Sequence, residues 1–145
     1  MKRVVSRGII FIDQKVVLLK RIRKDGNKYL HYYAIPGGGV ENGESLEETC
    51  TREVKEEVNL DVSINEYLGM EEYEMGICHY YLVNYQGGIP ILGGEEKEQN
   101  NPDNSYEVKL INIKDIDKIF IYGKGIDMIK LAYQKHLKSF KSLNE

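Results

Sequence analysis

Short apolar runs near the start of the chain predict a β-hairpin. Residues 9–12 and 16–19 are entirely apolar and rich in β-branched side chains, and three polar residues, 13–15, separate them. Runs of this length and composition favour strands, so we expect a hairpin within residues 4–21. Because neither run alternates with polar positions, both faces of these strands should be buried, which predicts helices on each side of the sheet.

Further strand candidates follow, separated by turn residues. An Asp-Gly-Asn turn at 25–27 precedes a strand over 28–35, which ends at Pro36, where the chain is expected to turn through three glycines. The other strand candidates are 62–68, 76–85 and 104–113. The polar stretch 86–105 has little periodicity, and a loop of that length inside one domain is usually functional or mobile.

Two segments show helical periodicity. Ser45 followed by Glu48 has the pattern of a capping box and predicts a helix start. From there an apolar stripe recurs at every fourth position: Leu46, Cys50, Val54 and Val58. A second amphipathic helix is predicted from Gly125 onward, with its stripe at Ile126, Ile129, Tyr133, Leu137 and Phe140. Strands before and after a central helix, closed by a terminal helix, predict an α/β fold with a mixed sheet between helices.

Composition limits the classes of function. The 145 residues predict one domain spanning 1–145, and 20 basic against 23 acidic residues give a net charge of −3. No basic block is present, which argues against a polymeric nucleic acid partner. Cys50 and Cys78 have neither metal-type nor disulfide spacing. Without a signal core or a segment of membrane-spanning length, the chain is expected in the cytoplasm, with no membrane partner.

Three glutamates in the central helix are candidate metal ligands. Glu53, Glu56 and Glu57 are spaced i, i+3 and i+4, so their carboxylates share one helix face and repel each other. A divalent cation among them would offset that repulsion, because hard cations such as Mg²⁺ take oxygen ligands. The alternative is a solvated helix face, which is the commoner explanation for an isolated run of this kind.

The surroundings of these glutamates favour the metal site. Residues 38–60 fit the pattern G-x5-E-x7-R-E-U-x-E-E-x-G-U, where U is aliphatic, through these residues: Gly38, Glu44, Arg52, Glu53, Val54, Glu56, Glu57 and Leu60. Asn59 is the only departure, at a glycine position that follows the helix and needs a left-handed backbone, which Asn tolerates. The segment resembles the signature of the Nudix hydrolases. That resemblance implies an α/β/α sandwich and hydrolysis of a nucleoside diphosphate linked to another moiety.

The resemblance also implies roles for particular residues. Glu53, Glu56 and Glu57 are the expected ligands of Mg²⁺, or of Mn²⁺ in its place, and one of the three glutamates would act as general base. A backbone carbonyl of the glycine turn, assigned here to Gly37, would be a further ligand. Arg52 and Glu44 are expected to pair and hold the loop against the helix.

Many members of the resembled family recruit another carboxylate from a distant loop. Glu95, Glu96 and Glu98 lie in the polar stretch after two glycines, and Glu96 is the favoured choice. A solvated acidic loop explains each of them about equally well.

Substrate contacts are only weakly indicated. The hairpin carries basic residues that are candidates for contacts to phosphates, although exposed strand ends often carry such charges: Lys20, Arg21, Arg23 and Lys24. Four tyrosines are candidates for stacking on a base, but tyrosines more often fill a sheet face: Tyr32, Tyr33, Tyr80 and Tyr81.

Subfamily markers leave the substrate open. The proline that ADP-ribose-cleaving relatives tend to carry past the signature is missing from the region around 75–77. The expected partner is a small nucleotide, and the resemblance allows a homodimer. The alternative function is a non-catalytic Nudix-fold domain that binds a nucleotide as a sensor, although such domains usually lose glutamates that this chain keeps.

Overall fold

A computed structural model describes residues 2–144 of the chain and the side chains of residues 2–139. The strands are β1 (Arg3–Ile12), β2 (Lys15–Asp25), β3 (Lys28–Ala34), β4 (Gly37–Gly39), β5 (Asp61–Tyr73), β6 (Gly76–Gly87) and β7 (Asn104–Asn112). The helices are α1 (Leu46–Val58), α2 (Gly94–Glu98) and α3 (Gly125–Asn144), and a 3-10 helix covers Ile113–Lys118. The predicted hairpin, the other strands and both long helices are confirmed.

The sheet is mixed and has the order β3-β2-β1-β6-β5. Strands β1 and β2 pair only next to their turn, after which β1 runs parallel to β6 and β2 pairs with β3 and β7 in antiparallel fashion. The first half of β1 is therefore free to pair with β4. The two hairpin strands separate along their length, so the sheet opens between them where β4 begins.

Helices cover both faces of the sheet, as the apolar hairpin predicts. Ile10, Val17 and Leu19 are buried against α1, whereas neighbouring positions such as Ile9 and Leu18 are buried in the cluster that includes residues of α3. This alternation follows from the two-residue period of a strand. The architecture is the α/β/α sandwich that the sequence predicts. No helix within the described residues is long and apolar enough to cross a membrane.

The central helix begins and ends where its sequence predicts. The Ser45 side chain accepts a hydrogen bond from the Glu48 N–H at 3.1 Å, and the Glu48 carboxylate accepts one from the Ser45 N–H at 3.1 Å. Cys50 and two valines of the stripe are fully buried. Asn59 ends the helix in the left-handed conformation, with φ 61° and ψ 35°, so the missing glycine does not prevent the expected ending.

Three local expectations differ from the structure. The three glycines form strand β4 rather than a turn, because they pair with Val5–Arg7 of β1. The polar stretch is not wholly a loop, since it contains α2. Leu137 is exposed, not buried, because its part of α3 lies beside the β1–β2 turn, where the sheet ends. The side chain of Phe140 lies outside the residues described.

Candidate active site

Arg52 links the loop after β4 to helix α1. Its Nε donates to Glu44 Oε2 at 2.6 Å and its Nη2 donates to Glu44 Oε1 at 2.9 Å, a bidentate pair. Nη2 also reaches the Gly39 carbonyl oxygen at 3.3 Å. The hydrogen bond from Arg52, with help from the Glu41 N–H, lowers the pKa of Glu44 to about 2. The geometry agrees with the predicted role of this pair in holding the loop against the helix.

The same guanidinium reaches two glutamates of α1. Arg52 Nη1 donates to Glu53 Oε1 at 3.0 Å and to Glu56 Oε2 at 3.1 Å. Glu53 is pressed against β4, since a Cβ on Gly38 would lie only 2.5 Å from Glu53 Cδ. Burial raises the pKa of Glu53, against the opposing effect of Arg52. A side chain at position 38 would therefore displace this carboxylate.

Glu57 is the most deeply buried carboxylate of the three, with 4% of its surface exposed. The Gly37 N–H donates to its Oε1 at 3.0 Å. Burial raises the pKa of Glu57 to about 8, while that hydrogen bond lowers it, the charge of Glu96 raises it and the charge of Arg7 lowers it. The contact made by Gly37 is thus N–H donation to Glu57, and metal binding by the Gly37 carbonyl stays a prediction.

Helix α2 carries Glu96 toward these glutamates. The segment before it is tied to the end of α1, because the Gly93 N–H donates to the Glu57 carbonyl oxygen at 2.9 Å. Glu96 is half-buried and close enough for its charge to raise the pKa of both Glu53 and Glu57, whereas Glu95 and Glu98 are exposed. Of the three downstream candidates, Glu96 is therefore the one that the fold brings near α1. Glu53, Glu56, Glu57 and Glu96 are called the carboxylate cluster below.

The carboxylate cluster has the donor chemistry of a hard-cation site without a preformed arrangement. Over residues 2–139, no three acidic, histidine or cysteine side chains already converge on one point, and Arg52 instead bridges Glu53 and Glu56. The cluster nevertheless offers only oxygen donors, the set that Mg²⁺ and Mn²⁺ prefer. Its buried member Glu57 is a carboxylate whose charged form burial disfavours, and a cation would relieve that cost.

A cavity of about 440 Å³ lies on the α3 side of the sheet. The polar side chains that line it include Arg3, Arg7, Arg23, Tyr32, Tyr33, Glu71, Tyr73, Tyr80 and Tyr122. It is called the arginine–tyrosine cavity. Arg7 joins the two regions, because it lines the cavity, donates from Nη1 to the Ile35 carbonyl oxygen at 2.7 Å and is close enough to influence the pKa of Glu57.

Some of the residues that the sequence offers as candidates for substrate contacts line this cavity, and others do not. Tyr32, Tyr33 and Arg23 line the cavity. Arg21 lies instead with its guanidinium carbon 3.7 Å from the centre of the Tyr106 ring. Lys20 and Lys24 do not line the cavity.

Tyr80 and Tyr81 are buried on opposite faces of the sheet. The Tyr81 hydroxyl donates to Glu47 at 2.7 Å on the α1 side. Tyr80 contributes its buried side chain to the cavity floor. Filling a sheet face, the commoner use of a tyrosine, therefore describes both.

Sequence reasoning missed five of the polar residues that line the cavity: Arg3, Arg7, Glu71, Tyr73 and Tyr122. A signal existed for Arg7, because it is a charged residue inside a strand whose neighbours Val5 and Ile9, two positions away on the same face, are fully buried. No local signal marks Glu71 or Tyr122, since only the fold brings their segments together.

Known proteins share this fold and sequence pattern. The NUDIX domain family matches residues 2–126. An ADP-ribose pyrophosphatase of Methanocaldococcus jannaschii is 30% identical over 112 residues, which is 77% of this chain and 63% of that protein. The match thus spans less than two thirds of that relative, and two further relatives are matched over 30% and 28% of their length.

Solved structures support the fold. A MutT NUDIX hydrolase from Burkholderia pseudomallei superposes with a TM-score of 0.68 at 21% identity, covering 88% of this chain and 96% of that one. An ADP-ribose pyrophosphatase from Streptococcus suis superposes with a TM-score of 0.65 at 18% identity, covering 94% and 92%. With the family match covering most of its length, the chain belongs to the NUDIX domain family.

Proposed function

We propose that this chain is a hydrolase that cleaves the pyrophosphate bond of a nucleoside diphosphate linked to another moiety, with Mg²⁺ or Mn²⁺ held by the carboxylate cluster. The observation that carries the proposal is the proximity of two regions of opposite charge. Glu57 is buried at the edge of the carboxylate cluster, and Arg7 brings a positive charge to it from the arginine–tyrosine cavity. This arrangement would let the phosphate groups of a substrate lie between a cation in the carboxylate cluster and a nucleoside in the cavity.

Each region contributes separately to the reaction. A divalent cation, when bound, would neutralise charge on the phosphate and lower the pKa of a bound water. Glu53, Glu56 and Glu57 hold it, with Glu96 supplied from α2, and one of the three α1 glutamates accepts the proton of the attacking water. Arg52 positions Glu53 and Glu56 through its hydrogen bonds, and Glu44 positions Arg52. Arg7 orients a phosphate oxygen toward Glu57.

The cavity is proposed to hold the nucleoside part. Its aromatic side chains offer faces for a base, and its arginines offer donors to phosphate and ribose oxygens. ADP-ribose is the first candidate substrate, because a relative that shares 30% identity with this chain is an ADP-ribose pyrophosphatase. The absence of the marker proline is weaker evidence than this overall similarity.

Hydrolysis assays test the proposal directly. Purified protein with Mg²⁺ or Mn²⁺ is assayed on ADP-ribose, nucleoside diphosphate sugars, dinucleoside polyphosphates and nucleoside triphosphates, with Glu57→Gln as the paired variant. Release of AMP or another nucleoside monophosphate by the wild type alone would support the proposal. Binding of the same compounds without turnover, in protein that also binds the cation, would contradict it and favour a nucleotide sensor.

A further inference from the structure

We propose that Glu71 selects the nucleobase by accepting a hydrogen bond from an exocyclic amino group, so that bases carrying an amino group, such as adenine and cytosine, are preferred over hypoxanthine and uracil. The inference rests on the proposed function and names the substrate class more closely. It is carried by the position of Glu71 in the arginine–tyrosine cavity and by the partners of its carboxylate.

The sheet register places Glu71 on the cavity floor. Across three neighbouring strands, Cys78 of β6 lies opposite Val5 of β1 on one side and opposite Glu71 of β5 on the other. Two residues further along the strands, Arg7 of β1 pairs with Tyr80 of β6. Two residues in the other direction, Arg3 of β1 pairs with Gly76 of β6. Glu71 is thus separated from both arginines of β1 by strand β6. Glu71 therefore lies on the side of the cavity floor opposite β1, the strand whose Arg7 is near Glu57.

The carboxylate of Glu71 is fixed in place by neutral donors. The Tyr80 hydroxyl donates to Oε1 at 2.5 Å. The Lys124 N–H, in the loop that covers the cavity, donates to Oε1 at 3.2 Å and to Oε2 at 3.0 Å. The loop comes this close because Gly123 has a φ of +69° and no Cβ, which would lie 2.6 Å from Oε2. Two donors from different segments leave the carboxylate little freedom to turn away.

No arginine neutralises this carboxylate, although three arginines line the same cavity. Among the side chains that the structure describes, none of the basic groups lies within 4 Å of a Glu71 oxygen. A carboxylate has about four acceptor positions, and within the described part of the chain Oε2 accepts one hydrogen bond, from the Lys124 N–H. Glu71 is a half-buried acceptor with unused capacity in a cavity whose other charges are positive.

Charge decides which part of the substrate meets Glu71. A phosphate would be repelled there and attracted by Arg7, so the phosphate chain lies toward Glu57 and the base lies toward Glu71. Aromatic side chains line the cavity near Glu71: Tyr73 lies on the same strand, and Tyr122 lies in the covering loop directly before Gly123. A carboxylate accepts hydrogen bonds and does not donate them. An amino group on the base is therefore a matched partner, whereas a carbonyl oxygen at the same position is repelled.

Matched substrate pairs test the inference, since the two members of each pair differ at the exocyclic group. The values of kcat/KM are measured for ATP against ITP, CTP against UTP, and ADP-ribose against its hypoxanthine analogue. Within each pair that the protein hydrolyses, we expect the kcat/KM of the wild type to be about tenfold or more higher for the substrate whose base carries the amino group. A site built to hydrogen-bond one group rejects an analogue that lacks this group, because the site's own acceptor is then left unpaired. In Glu71→Gln the amide can also donate, so the ratio should fall to about one or reverse.

A binding measurement separates this inference from the proposed function. Dissociation constants for ADP against IDP and CDP against UDP are measured by calorimetry in EDTA, where no turnover is required, and the same preference is expected. If a preference appears in binding but no compound is hydrolysed, the proposed function is wrong and the selection by Glu71 is supported. Equal affinities and equal kcat/KM values within the pairs would overturn the role of Glu71.

Glu72→Gln is the matched control. Glu72 is the neighbouring glutamate on β5, it is exposed, and it is not among the residues that line the cavity. It should keep the wild-type ratio. An unchanged ratio in Glu71→Gln, in protein with the wild-type melting temperature, would show that Glu71 only ties the covering loop to the sheet and would contradict the inference.

Discussion

The carboxylate cluster and the arginine–tyrosine cavity come near each other at Glu57 and Arg7 but are built in opposite ways. Three of the cluster's four carboxylates come from a single turn and a half of α1, and one guanidinium, that of Arg52, bridges two of them. The cavity takes its charges from several strands and places one carboxylate among three arginines. Helix spacing determines the first region, whereas strand register and a covering loop determine the second.

This difference separates the tasks of the two regions. Acidic residues within one rigid helix hold fixed mutual positions, which suits cation binding and the chemical step. Residues from several strands and a loop make a larger concave surface, which suits recognition of a substrate. Substitutions in the cluster should therefore lower kcat, and substitutions in the cavity should change KM or the preference between bases.

The largest expected effect is the loss of turnover in Glu57→Gln. The amide cannot hold a cation as a carboxylate does, so kcat should fall by at least about 100-fold, in the range for loss of a catalytic acid–base group or metal ligand. Initial rates at saturating substrate and Mg²⁺ measure it. Glu95→Gln, an exposed glutamate near the same site, is the control and should keep the wild-type rate. Near-normal turnover in Glu57→Gln would remove Glu57 from the site.

The buried Glu57 should also make stability depend on pH in the absence of divalent cations. Burial raises the pKa of this carboxyl from an ordinary value of 4.5 to about 8. The folded state therefore binds the proton more tightly than the unfolded state does. The stabilisation is complete below about pH 4.5 and is lost as the pH rises to about 8.

Urea unfolding in EDTA at several pH values measures this loss. The free energy of unfolding of the wild type should fall across that interval by roughly a few kcal/mol. Glu57→Gln should lack this part of the decline, because it has no proton to lose. A parallel decline in both proteins would assign the effect to other groups.

The cluster is the region that sequence reasoning describes best. The spacing of Glu53, Glu56 and Glu57 places them on one face because the helix period is fixed, and the capping pattern of Ser45 and Glu48 fixes where that helix begins. Such rules act within a few residues along the chain. They need no knowledge of the tertiary structure.

The cavity is the region that sequence reasoning finds only in part, through Arg23, Tyr32, Tyr33 and Tyr80. Glu71 meets Lys124 only because the loop before α3 folds over the sheet. Arg7 comes near Glu57 only because it pairs with Gly37 of β4, whose N–H donates to Glu57. The three glycines form a strand instead of the predicted turn, since glycine permits a turn and a close strand contact equally well. The strand pairing that decides between them is a long-range contact.

A smaller effect is expected for Arg7→Met, which tests the junction between the two regions. The substitution removes a donor for the substrate phosphate, so KM should rise by about tenfold with a smaller change in kcat. It also removes a positive charge that lowers the pKa of Glu57, which should therefore rise further. Steady-state kinetics measure both constants.

Lys24→Met is the matched control for this test. It removes a basic residue that is exposed and does not line the cavity, so KM should not change. An equal rise in KM in both variants would point to general attraction of an anionic substrate rather than a contact with Arg7.

The smallest effect should follow a change at Asn59, which ends α1 with a φ of 61°. Glycine relieves the left-handed conformation but removes the hydrogen bond from Asn59 Nδ2 to the Ile89 carbonyl oxygen, 3.1 Å long. The two changes oppose each other, so the free energy of unfolding of Asn59→Gly should stay within about 0.5 kcal/mol of the wild type. Asn59→Ala loses the hydrogen bond and keeps the strained backbone, so it should be less stable by about 1–2 kcal/mol. Urea denaturation measures both.

The same two variants compare the regions directly. Ile89 belongs to the segment that leads to α2 and Glu96, so loosening it in Asn59→Ala should disturb the carboxylate cluster and lower kcat. The arginine–tyrosine cavity takes no residue from that segment, so the ratio of kcat/KM between amino and oxo bases should keep its wild-type value. A shift in that ratio would show that the two regions are coupled, and their separate construction would then not give them separate functions.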